Sequence, residues 1–197
     1  MKNLFLFFLL SFSGMAASAY TSNSPVNNED LVFPVAGNNS NVGSFWGARR
    51  EGGKRKHEGI DIFAKKGTPV VAISDGVITK VAVMPKGGKI VWMECDGREW
   101  NVYYAHLDEQ FVKEGQKVKK GEAIGTVGNT GNARTTPSHL HFGIYTRKGA
   151  VDPYPYVKNL EKISDPYRLE DDNNEMLADN EKIIESISDR LSKRNSL

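Results

Sequence analysis

Cysteine is almost absent from this 197-residue chain, where Cys95 stands alone. A single thiol forms no internal disulfide, which excludes a disulfide-stapled fold and a multi-cysteine metal site. Lying within "VWMECDG", Cys95 reads as a buried strand residue and not as a nucleophile. Long hydrophobic runs are missing as well. The most apolar stretch, "LFLFFLL", is well short of the roughly 20 residues needed to span a bilayer, so no stable membrane insertion is expected. Set between Lys2 and the small-x-small triplet Ala17-Ser18-Ala19, that run has the layout of a secretory leader. Cleavage is expected after Ala19, which makes residues 1–19 a signal peptide and the mature chain an exported one, in the periplasm or outside the cell.

A strong excess of one charge is also lacking, since the formal net charge is only +2. No nucleic-acid partner is expected from so slight a balance. Residues 161–197 hold ten acids and six bases, net −4, and Lys2 adds +1, so residues 20–160 carry the remaining +5. A mildly basic body with an acidic tail suits work near anionic polymers, and equally suits ordinary surface charge. The one local excess is "RREGGKRKH" at 49–57. Its cations Arg49, Arg50, Lys54, Arg55 and Lys56 read either as a solvated loop or as a patch lining a groove.

Short β-branched and aromatic runs separated by glycine-containing turns fill the middle of the chain: "TPVVAIS", "GVITKVAVM", "KIVWMEC", "EWNVYYAHL", "AIGTVG" and "LHFGIYT". No long helical periodicity lies between them, so the spacing predicts an all-β domain, a compact antiparallel sheet or barrel-like body over residues 31–160. Residues 20–30, "YTSNSPVNNED", are polar and turn-rich and read as a flexible lead-in. "VKEGQKVKKGEAIGTVG" has the look of a lipoyl or biotinyl carrier hairpin, but no modifiable lysine tip flanked by methionine or acids accompanies it. Carrier function is therefore not expected. In the acidic tail, residues 161–197, Met176, Leu177, Ile183, Ile184, Ile187 and Leu191 recur at helical steps. They predict a C-terminal amphipathic helix of about five turns whose apolar stripe packs on its own domain or serves a dimer or partner contact.

Histidine is scarce too, and its four copies are placed tellingly: His57 in "HEGID", His106 in "YYAHL", His139 and His141 in "SHLHF". On a strand, residues two apart face one side, so His139 and His141 point together into a cleft while Leu140 and Phe142 face apolar packing. In "HEGID" an imidazole and a carboxylate stand four apart, with Gly59 between them to let the chain bend. Catalytic zinc commonly takes three histidine or carboxylate ligands and keeps a fourth position open. His57, Asp61 and one histidine of the HLH pair supply that set for one Zn2+ ion. His106 and the other member of the pair then remain for proton transfer and oxyanion stabilisation. Any one of these histidines alone is more simply a hydrogen-bonded core or surface residue; their joint placement with Asp61 is what chance explains poorly.

"HEGID", "YYAHL" and "SHLHF", in this order, resemble the M23 family of zinc metallopeptidases, the LytM and lysostaphin type, with its HxxxD and HxH signatures. The similarity runs from "FPV" at 33–35 through "VDPYPYV" at 151–157 and includes "FWGARR", "GIDIFAKKGTPVVAISDGVI" and "VKEGQKVKKGEAIGTVGNTG". That resemblance implies His57, Asp61 and His141 as the zinc ligands and His106 and His139 as the catalytic histidines. His139 is the candidate general base and His106 the candidate oxyanion stabiliser, with the two roles exchangeable. It further implies a peptidoglycan hydrolase acting on peptide cross-links or bridges of the bacterial cell wall. Because a ligand or a base must be neutral imidazole, activity is expected to fall below about pH 6.5. The loop "NARTTPS" is expected beside the cleft, where it can help select substrate. Some members of the fold are non-catalytic modules that bind cell wall or activate amidases, and these have lost ligands; here all five expected residues are present.

Overall fold

The computed structural model describes residues 30–165. The expected leader, all but the last residue of the lead-in, and the expected C-terminal helix lie outside the described residues.

Twelve strands and one short helix follow in chain order: β1 (Asn41–Ser44), β2 (Arg49–Arg50), β3 (Arg55–Lys56), β4 (Ile60–Phe63), β5 (Pro69–Val71), β6 (Gly76–Met84), β7 (Gly88–Cys95), β8 (Trp100–Leu107), β9 (Lys117–Val118), β10 (Ala123–Thr126), β11 (His139–Thr146), β12 (Gly149–Val151) and α1 (Tyr154–Val157). The main sheet runs β1-β4-β11-β8-β7-β6-β9, with β12 alongside the end of β11, and every pairing in it is antiparallel. Two small antiparallel pairs, β5 with β10 and β2 with β3, complete the body. The all-β class expected from the sequence is the one observed. The sheet is open, however, since its order begins at β1 and ends at β9 without closing into a barrel.

Alternation along the strands gives the sheet two chemically different faces. Ile60 and Ile62 of β4, Leu140, Phe142 and Ile144 of β11, and Val102 and Tyr104 of β8 are fully buried on one face. Val70 of β5, Ile124 of β10 and Phe33 join them in a single apolar cluster. Each such side chain contributes roughly 1.5–3 kcal/mol by leaving water, which fixes the strand register and so the direction of every residue between. The Tyr104 hydroxyl, buried in that cluster, accepts the Ile73 backbone N–H at 3.1 Å. Cys95 is buried as expected, and burial pushes its thiol up to about 12. Among the described residues no helix is long and apolar enough to cross a membrane.

Candidate active site

Because Leu140 and Phe142 are committed to the core, His139 and His141 emerge together on the opposite face of β11. Their neighbour on one side is β4, where His139 stands opposite Phe63 and His141 opposite Asp61. Asp61 is delivered to this face by the burial of Ile60 and Ile62 on either side of it. His57 arrives from the segment before β4, held by main-chain bonds from its N–H to the Ala48 carbonyl (2.9 Å) and from the Gly47 N–H to its own carbonyl (2.9 Å).

His106 reaches the same face by a different device. Between the β7–β8 pairs Val91↔Tyr104 and Lys89↔Leu107 the second strand carries one more residue than the first, a bulge that falls at Ala105 and His106. His106 has φ +63, in the left-handed region that few non-glycine residues occupy. Without the bulge, simple alternation would send it toward the core with Tyr104. Its backbone N–H donates to the Gly87 carbonyl at 2.8 Å, and its Nδ1–H donates to the Thr130 carbonyl at 2.9 Å.

Three donor atoms converge at the centre. His57 Nε2 lies 2.9 Å from His141 Nδ1 and 3.0 Å from Asp61 Oδ1, and His141 Nδ1 lies 3.1 Å from that same oxygen. Donors on one tetrahedral zinc ion, at bonds of about 2.0–2.1 Å, stand about 3.3 Å apart, so this triangle needs only a slight opening. Gly59 leaves room for the set: a Cβ there would sit 2.6 Å from Cε1 of His141 and 2.6 Å from the Phe142 carbonyl oxygen. The nitrogen of His57 turned away from the centre, Nδ1, is 3.0 Å from the Phe45 carbonyl, where its N–H donates and leaves Nε2 as the free lone pair. Nitrogen and oxygen donors in this number and arrangement fit zinc.

The two other histidines lie beside this triangle. Nε2 of His139 is 4.0 Å from Asp61 Oδ1, its Nδ1–H donates to the Pro137 carbonyl at 2.8 Å, and its ring stands edge-on to His106 with centroids 5.0 Å apart. His57, Asp61, His106 and His139 are all buried. Burial drives the His106 imidazole down to about 4, assisted by the neighbouring His139 and His141. His106 therefore stays neutral well below the pH 6.5 limit expected from the sequence. Burial also lowers His141, against the opposing pull of Asp61. For Asp61 burial pushes the carboxyl up, and the imidazoles of His141 and His57 beside it more than reverse this, holding it far below the usual carboxylate range.

All five residues singled out in the sequence are thus brought to one place. Two features there were not foreseen. Arg50 does not sit in a solvated patch: its guanidinium turns inward to Asp61, whereas Arg49, Lys54 and Lys56 are exposed. Trp92, Tyr103 and Tyr145 form an aromatic strip with centroid separations of 4.7 and 4.8 Å from Trp92, and Tyr103 lies 5.9 Å from the His141 ring. Period-two alternation on three separate strands carried the signal for that strip, but the sequence does not say which strands are neighbours.

Residues 55–153 match the sequence profile of peptidase family M23. The chain belongs to that family. A relative named L-Ala–D-Glu endopeptidase, from Bacillus subtilis, is 37% identical over 131 residues, covering 60% of this chain and 40% of its own. The catalytic domain of lysostaphin, an antimicrobial peptidase from Staphylococcus simulans, superposes with TM-score 0.55 at 34% identity over 60% of this chain and 92% of that domain. A zinc-containing peptidase from Vibrio cholerae superposes with TM-score 0.57 at 30% identity, over 67% of this chain and 40% of its own. The chain spans between a fifth and two fifths of the length of the curated relatives it matches. Two of the five site residues, His57 and Asp61, lie early in the matched M23 segment and the other three follow within it.

Proposed function

We propose that this chain is an exported zinc metalloendopeptidase that hydrolyses peptide cross-links or bridges of bacterial peptidoglycan. The observation that carries the reading is the convergence of His57 Nε2, Asp61 Oδ1 and His141 Nδ1 to within 3.1 Å of one another, with two further histidines alongside. Membership of M23 and the named peptidases among its relatives support the peptide-bond chemistry. The leader-like start, with its apolar run and Ala17-Ser18-Ala19, supports export to the periplasm or the medium.

His57, Asp61 and His141 hold one zinc ion in this account. When bound, zinc supplies Lewis acidity, polarising a peptide carbonyl and bringing the acidity of water into the neutral range. Proton movement falls to His106 and His139. With each Nδ1–H tied to a carbonyl oxygen, both rings present Nε2 as a proton acceptor, which suits either to take the proton of the attacking water. The ring that has taken it becomes an N–H donor, able to face the developing oxyanion or to return the proton to the leaving amine. The hydrogen bonds to Thr130 and Pro137 keep both rings oriented while this happens. Tyr103 remains a protonated phenol beside His141, because burial pushes it up to about 12.

Mass spectrometry of purified sacculi incubated with the protein tests the proposal, with a zinc chelator and the His139→Ala variant as controls. New peptide ends that vanish with chelator and with the variant are the expected result, and they identify the bond. Zinc-loaded protein that pulls down sacculi without cutting them would mark the chain as a non-catalytic cell-wall module.

A further inference from the structure

Arg50 sits in a run of five cations, yet it alone is turned into the donor triangle. On β2 it follows Arg49, and strand alternation sends the two side chains to opposite sides, Arg49 to solvent and Arg50 inward. One guanidinium nitrogen, Nη2, meets three atoms: Asp61 Oδ2 at 2.5 Å, Ser44 Oγ at 2.8 Å and His57 Nδ1 at 2.9 Å. Hydrogen counting sorts these contacts. Nη2 carries two hydrogens, and they are used by the carboxylate and the serine oxygen. His57 Nδ1 keeps its own proton and gives it to the Phe45 carbonyl at 3.0 Å, so it needs none from Arg50.

That allocation has a consequence for Asp61. A free carboxylate can present one oxygen or both to a cation, and the two modes turn the group differently. Here Oδ2 is taken by Arg50, while Oδ1 alone faces His57 Nε2 and His141 Nδ1 at 3.0 and 3.1 Å. The same guanidinium nitrogen lies 2.9 Å from Nδ1 of His57, whose proton is accepted by the Phe45 carbonyl, so it is that carbonyl that leaves Nε2 as the lone pair. Ser44 anchors Nη2 from the strand that pairs with β4, so the clamp is braced by the sheet: Ser44 stands opposite Asp61 in the β1–β4 register.

We propose that Arg50 is the positioning residue of the metal centre, clamping Oδ2 of Asp61 against Ser44 so that Asp61 ligates through Oδ1 alone. The inference rests on the zinc reading of the His57, Asp61 and His141 triangle. It goes beyond that reading by assigning a fourth residue that touches neither metal nor substrate. Partners of this kind typically contribute 10–100-fold to metal affinity.

Zinc affinity measured by competition with a chromogenic chelator tests it on the purified protein and on Arg50→Ala, Arg50→Lys and Ser44→Ala, with the Co2+-substituted absorption spectrum recorded for each. Arg50→Ala is expected to bind zinc about 10–100-fold more weakly and to shift the Co2+ bands as the carboxylate turns. Arg50→Lys is expected to recover only part of the affinity, because a point-like ammonium cannot reach two acceptors in the plane of the guanidinium. Ser44→Ala is expected to weaken binding less, in the same direction. Thermal melts of the metal-free proteins check folding, and if Arg50→Ala melts early the Lys and Ser44 variants carry the comparison. Wild-type affinity and an unshifted Co2+ spectrum in the folded Arg50 variants would overturn the assignment alone. Wild-type protein that takes up no zinc would overturn the metal reading itself, and this assignment with it.

Discussion

His106 illustrates how backbone and surroundings together place and orient a single side chain. Its left-handed φ and the bulge on β8 bring the ring to the site, and the Thr130 carbonyl fixes which nitrogen carries the proton. The folded-state value of about 4 lies below that of free imidazole, about 6.5. Between those values the unfolded chain binds more protons, so the metal-free protein gains stability as pH rises through this window, by up to about 1.4 kcal/mol per pH unit from this group. Thermal melts of metal-free protein at about pH 4.5 and about pH 7 should show a higher Tm at the upper value, and His106→Gln should flatten the trend. A variant as pH-dependent as the wild type would contradict the burial of a neutral imidazole there. At this scale the sequence was informative about chemistry and silent about direction. The histidines and Asp61 could be read because their types and spacings are rare. Arg50 could not, because five neighbouring cations look alike in a sequence and only the β2–β3 pairing decides which one turns inward.

At the scale of elements, β11 and the segment leading into β4 make the site. β11 places two histidines on one face by burying Leu140 and Phe142 on the other, and β4 does the same for Asp61 between Ile60 and Ile62. Such alternation is written in the sequence, and for that reason the extents of β6, β7, β8 and β11 agree closely with the apolar runs read there. The bulge at His106 is not written in the same way, since it is a mismatch between two strands and belongs to neither alone. Gly59 joins the two elements. An added methyl group would meet both the His141 ring and the Phe142 carbonyl oxygen at 2.6 Å, and the second contact is backbone that cannot rotate away. Gly59→Ala is therefore expected to displace His141 and to lower zinc affinity at least tenfold, the loss typical when a ligand is misoriented. Competition with a chelator reads this directly, and unchanged affinity would mean that the ring does not rest on Gly59.

For the molecule as a whole, the class of the fold was legible and the layout was not. Short apolar runs with glycine turns announce antiparallel β structure, but the order β1-β4-β11-β8-β7-β6-β9 depends on pairings between residues far apart in the chain. The histidines lie on the face of β4, β11 and β8 opposite the core, and the aromatic strip of Trp92, Tyr103 and Tyr145 lies on β7, β8 and β11 beside them. The inner face, filled by Ile60, Val102, Tyr104, Leu140 and Phe142, is the rigid floor that keeps the donor atoms in place. In the function proposed above, this floor presents His57, Asp61 and His141 as one metal centre. Elemental analysis of zinc per chain, for the wild type and for His57→Ala, Asp61→Ala and His141→Ala, tests it most directly. One zinc ion per chain is expected in the wild type, with loss of stoichiometric zinc in each variant; full retention of zinc in all three would rule out this metal centre.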